Sequence, residues 1–272
     1  MTAWAEHEPA VQVVTLIGSR VREADDAVWR ADAQSDWDFQ IITTRPGIFA
    51  EAAWTRGLAG TEVRAYAART ARIGGVPKVN ALFAGAEVDF VVIPAGQLRL
   101  LKFCFRLGLH RREGRMRRAA QDLAVVIRPG WRFLKGAKTW EPFYRRVVAE
   151  VPDARLNDEA VRRLAEGLVC DHVWTLRKLE RGELLAAQRM LHRELAETNF
   201  RLLHELKLRR GERSFPEARR IERVATVAEL ADVGVDAPLE AVALRAAADQ
   251  SAATCRELTR ALTGAAWRRP EA

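Results

Sequence analysis

Apolar positions cluster in short β-branched runs over the first hundred residues and recur at intervals of three and four further on. "VQVVTLIG", Val11 to Gly18, is a continuous apolar run closed by glycine, the pattern of a buried strand entering a turn. "WDFQIITT" repeats it and stops at Arg45-Pro46-Gly47. "EVRAYAAR" alternates and predicts a third strand. "KVNALFAGAEVDFVVIP" predicts a hairpin, with one strand to Ala84, a turn at Gly85, and a return from Glu87 to Ile93 that ends at Pro94. A helix is expected from Ala95, and another between Ser19 and Asp36. "RPGWRFLKG" reads as a turn-rich connection without a strand.

From about Glu141 the strand-like runs stop. Val161, Leu164, Leu168, Val169, Val173, Leu176 and Leu179, then Leu184, Leu185, Met190, Leu191 and Leu195, form a helical stripe. Pro152-Asp153 and Phe215-Pro216 mark helix boundaries, and Leu239 to Leu262 predicts a last helix. The pattern gives an α+β chain: an N-terminal domain mixing strands and helices over residues 1–145, then a helical bundle over 146–272, with a cleft between them.

Composition narrows the classes. The chain has 272 residues, of which 49% are apolar, enough for a sizeable core. No run approaches roughly 18 consecutive apolar residues, so no membrane span is expected. The acidic start "MTAWAEHEPA" lacks the order of a signal peptide. Cys104, Cys170 and Cys255 are odd in number and far apart, which argues against disulfides or a zinc cluster and suits a cytoplasmic protein. Each is expected as a small buried apolar residue. His7, His110, His172, His192 and His204 have no metal-ligand spacing. Trp4, Trp29, Trp54, Trp131, Trp140 and Trp267 are expected in packing.

The net charge of +8 is concentrated. Residues 101–148 hold 13 Lys+Arg against 3 Asp+Glu, while the segments on either side are nearly balanced. This segment fits a solvated face or an anion-facing surface equally well.

The chemistry lies in the early strands. Asp36 and Asp38 sit at the head of an apolar run, on one side of it, with Trp37 on the other. Two carboxylates that close repel each other in a partly dry site, and a divalent cation such as Mg²⁺ removes the conflict. Asp89, in "EVDFVVIP", supplies a third acid on a neighbouring strand. Three such carboxylates can hold two metals, the arrangement used in phosphoryl-type transfer. Gly18 allows a tight turn after the first strand, and backbone N–H groups with the Ser19 hydroxyl can hold phosphate oxygens, with Arg20 adding charge.

At these residues the chain resembles the polymerase-beta-like nucleotidyltransferase superfamily, and within it the aminoglycoside 6-adenylyltransferase group. "LIGSR", "SDWDF" and "NALFAGAEVDFVVIP" match that group's stretches in order, and "CDHVWTLRKLERGELLAAQRML" and "LRRGERSFPEARRIER" are similar to segments of its helical half. The resemblance covers most of the chain. It implies a nucleotidyltransferase-fold mixed sheet followed by a helical domain. It also implies Mg²⁺ with ATP as co-substrate, and a hydroxylated acceptor such as an aminoglycoside. Asp36, Asp38 and Asp89 would hold metal and catalyse, with Asp89 able to take the hydroxyl proton. Gly18, Ser19 and Arg20 would bind the triphosphate. Asp171 falls on the family's acceptor-binding Glu and Trp174 on one of its tryptophans; from the residues alone, Asp171 fits a helix cap as well, and Trp174 fits core packing as well. The arginine-dense segment motivates an RNA acceptor as the alternative. A non-catalytic nucleotide-binding relative is the third reading.

Overall fold

A computed structural model describes residues 1–22, 31–58, 62–215 and 218–264. The helix expected between Ser19 and Asp36, the tryptophans Trp29 and Trp267, and Pro216 lie wholly or partly outside them. The chain divides into two compact units, Met1–Ala154 and Arg155–Ala272.

The first unit is built on a six-stranded sheet. Its strands are β1 (Val11–Ile17), β2 (Trp37–Thr43), β3 (Val63–Thr70), β4 (Pro77–Phe83), β5 (Ala86–Pro94) and β6 (Arg132–Lys135). Their order is β3-β4-β5-β2-β1-β6. β2 and β5 run parallel, and the other neighbours are antiparallel. The burial of β2 and β5 on both faces agrees with their apolar-rich sequences, the mark of strands covered on two sides. On one face Val13, Ile42 and Ile93 pack under α2 (Ala95–Arg106), α3 (Arg115–Ile127) and α4 (Ala137–Glu150), through Leu98, Phe105, Ile127 and Tyr144. On the other face Phe39, Ile41, Phe90 and Val92 pack against Phe49, Trp54 and Trp4, the last from α1 (Thr2–His7).

Two expectations differ from the structure here. "RPGWRFLKG" contains β6, which pairs with β1 at the edge of the sheet. It is only four residues long and flanked by Gly130 and Gly136, so its turn residues outweigh its strand signal. The division of the chain falls after Ala154 and not at 145, because α4 runs through that point and buries Trp140, Phe143, Tyr144 and Val147 in the core of the first unit.

The second unit is helical: α5 (Asp158–Glu180), α6 (Leu184–Met190), a π-helical segment (Leu191–Ala196), α7 (Glu197–Arg209), α8 (Val227–Val233) and α9 (Ala241–Thr263). Asn157 caps α5 by accepting from the Ala160 N–H, and Thr226 with Glu229 forms a capping box on α8. Val161, Leu168, Leu195, Leu202, Leu244 and Cys255 are buried together, each large aliphatic contributing about 1.5–3 kcal/mol. Buried polar groups cross-link the helices. His172 Nε2 lies 2.8 Å from Asp249 Oδ1, and Glu205 Oε1 accepts from Arg155 Nη2 at 2.9 Å. Among the described residues no helix is long and apolar enough to cross a membrane. Cys104 and Cys255 are buried as expected, but Cys170 is exposed, because it lies on the outer side of α5.

Candidate metal and nucleotide site

The ladder between β2 and β5 sets Asp38 level with Asp89. Parallel strands in register direct level residues to the same face, so these two carboxylates meet over the helix-covered side of the sheet. Asp36 precedes β2 by one residue and joins them. One ligating oxygen from each of Asp36, Asp38 and Asp89 lies within 4.8 Å of the others. Asp89 is the most enclosed at 7% exposure, and the other two are half-buried. β2 and β5, neighbours in the sheet though some fifty residues apart in sequence, bring the three together.

The turn after β1 abuts this trio. Gly18 has φ +77°, and a Cβ placed there would sit 2.0 Å from Asp38 Oδ2, so no side chain fits. Ser19 follows in a 3₁₀ turn, Gly18–Val21. It is 7% exposed, and its hydroxyl has no hydrogen-bond partner among the described residues. An unpaired buried hydroxyl costs about 1–3 kcal/mol. A ligand oxygen would satisfy it. The donor set therefore fits a hard divalent cation such as Mg²⁺, which prefers carboxylate oxygens and shares its shell with phosphates.

Arg20 holds the backbone beside this trio. Its Nε donates to the Asp36 carbonyl at 3.0 Å, Nη2 donates to the Ser35 carbonyl, and the guanidinium lies 4.3 Å from the Trp37 ring centroid. Arg20 thus pins the segment that carries Asp36 and Asp38.

Two neighbours of Asp89 escaped the sequence reading. Asn80 Nδ2 donates to Asp89 Oδ1, and Lys78 Nζ lies 2.6 Å from Asp89 Oδ2. Both are on β4, where Asn80 is level with Asp89. The alternation of β4 was the available signal: Lys78 and Asn80 are polar residues facing the same way as Asp89.

In the helical unit, Asp171 lies inside α5, well away from its ends, so it caps nothing. Trp174 is 55% exposed, which excludes a core role. The two are three residues apart and share a helix face. Burial raises the Asp171 carboxyl above its ordinary value, and the Glu194 carboxylate nearby raises it further. Glu194 is exposed and was not singled out in the sequence.

Five arginines of the arginine-dense segment form ion pairs with carboxylates. Arg111 and Arg146 meet Glu150, Arg117 meets Glu113, Arg145 meets Glu141 and Arg128 meets Asp153, at 2.5–3.1 Å.

No family model and no curated protein matches the chain. Among solved structures it is similar to an aminoglycoside 6-adenyltransferase from Bacillus subtilis, at 12% identity and a TM-score of 0.42, covering 98% of this chain and 89% of that one. It is also similar to a nucleotidyltransferase-like protein from Exiguobacterium sibiricum, at 13% identity and a TM-score of 0.35, covering 95% of this chain and 71% of that one.

Proposed function

We propose that the chain is a metal-dependent nucleotidyltransferase that moves AMP from ATP to a hydroxyl of a small cationic acceptor of the aminoglycoside kind. The convergence of Asp36, Asp38 and Asp89 beside the Gly18-Ser19 turn carries this reading. The three carboxylates would hold Mg²⁺, which when bound neutralises phosphate charge and polarises the reacting phosphorus. Gly18 and Ser19 would hold phosphate oxygens through backbone N–H groups and the unpaired hydroxyl. Arg20 acts indirectly, by fixing the backbone of Ser35 and Asp36.

The acceptor oxygen bonds to the α-phosphorus as the bond to the β-phosphate oxygen breaks, and pyrophosphate leaves. Asp89 takes the hydroxyl proton. Asn80 and Lys78 each engage one of its oxygens, and a carboxylate with about four lone-pair sites retains capacity for more. Asp171, Glu194 and Trp174 would bind the acceptor's ammonium groups. The pairing of five arginines in residues 101–148 favours this small cationic acceptor over RNA.

The test is transfer from ATP labelled at its α-phosphate, with Mg²⁺, to a panel of aminoglycosides and to bulk tRNA. Label should appear on an aminoglycoside. Asp38→Asn should lower the rate by on the order of 10³, since a lost metal ligand removes several kcal/mol of charge stabilisation. Full activity in Asp38→Asn removes the proposal, and Mg-ATP binding without transfer to any acceptor leaves a non-catalytic relative.

A further inference from the structure

Three carboxylates suggest room for two divalent ions, but the trio already has a cation built into it. Asn80 is level with Asp89 across the β4–β5 ladder, and Lys78 lies two residues away on the same face of β4, level with Val91. A diagonal neighbour at that spacing is within reach of a long side chain. The ammonium reaches back to Asp89 Oδ2 at 2.6 Å, while Asn80 holds Oδ1. The Lys78 side chain is about one-third exposed, so it reaches solvent at one side and the acids at the other.

We propose that Lys78 occupies the second cation position of this site, so that the trio takes one divalent ion and not two. This rests on the metal-nucleotide reading of the trio. A second ion drawn to Asp89 Oδ2 meets an ammonium already there, and like charges at such a distance repel strongly in a partly buried setting. Lys78 carries one positive charge and three donors. Close to Asp89, it is placed to meet negative charge developing on the phosphoryl oxygens, the task a second metal otherwise performs.

The experiment is titration of the full chain with Mn²⁺ alone, the bound ion being counted by loss of the free-ion electron paramagnetic resonance signal. Wild type should bind one Mn²⁺ per chain, and Asp38→Asn should lose it. Lys78→Met should bind a second ion, whereas Lys78→Arg should stay at one. Should Lys78→Met not fold, Lys78→Gln removes the same charge. Two ions in the wild type, or one in all the Lys78 variants, overturns the proposal and leaves the nucleotidyltransferase reading standing. No binding at all, or binding unaffected by Asp38→Asn, overturns both.

Discussion

Ser19 shows how function can be written against stability at a single residue. Its hydroxyl is buried without a partner among the described residues, a cost that folding alone gives no reason to keep. Ser19→Ala should therefore leave the unfolding free energy unchanged or raise it by about 1 kcal/mol. The same change should weaken nucleotide binding about tenfold, since one hydrogen bond to a charged oxygen is lost. Urea denaturation and calorimetry with ATP give the two numbers, and a Ser19→Ala protein that is less stable but binds ATP normally would show the hydroxyl to be structural. Asp36, Asp38 and Asp89 were legible in the sequence because acids heading apolar strands stand out. Lys78 and Asn80 were not, because a polar residue alternating along a strand looks like an exposed face until the neighbouring strand is known. The role of Arg20 was hidden for a related reason: its partners are backbone carbonyls of residues 35 and 36, which carry no side-chain signature.

At the scale of elements, β1 to β5 follow their hydrophobic runs closely, and the long helices follow their apolar stripes. β6 shows where pattern fails. It is held by what surrounds it, notably Gly136, which has φ +83° and leaves space for no side chain, a Cβ there lying 2.6 Å from the Gln12 carbonyl oxygen. Gly136→Ala should cost about 1–3 kcal/mol through backbone strain and displacement of β1, measurable by urea denaturation. A neutral effect would mean the β6–α4 junction adjusts freely. In the helical unit, Glu205 of α7 holds the segment that leads into α5. Burial alone would raise its carboxyl, but hydrogen bonds from Arg155, the Leu156 N–H and Arg209 outweigh that and hold it below its ordinary value of 4.5. A carboxyl depressed in the folded state contributes stability above pH 4.5 that fades as pH falls through the lowered value. Glu205→Gln should lose about 2 kcal/mol at neutral pH, less than a fully buried pair because Arg155 is itself 41% exposed. Below the folded-state value of the carboxyl this loss should vanish. A loss independent of pH would contradict the ionic account.

The whole molecule carries a net charge of +8, and residues 101–148 alone carry +10. Composition alone could not separate a nucleic-acid surface from a solvated face, because it does not say which acids lie opposite. The structure brings Glu150 and Asp153, just beyond the segment, onto its arginines. Bulk tRNA in filter binding at about 0.15 M salt should accordingly form no complex tighter than about 10⁻⁶ M, the strong edge of sequence-independent binding. A tighter complex that weakens steeply with salt would restore an RNA acceptor. Whether the three aspartates gather around a metal is decided by diffraction. Crystals should be grown with Mn²⁺ and a non-hydrolysable ATP analogue and measured at the manganese edge. An anomalous peak coordinated by Asp36, Asp38 and Asp89 and shared with the triphosphate is expected. Nucleotide and manganese bound elsewhere, with those carboxylates bare, would contradict it.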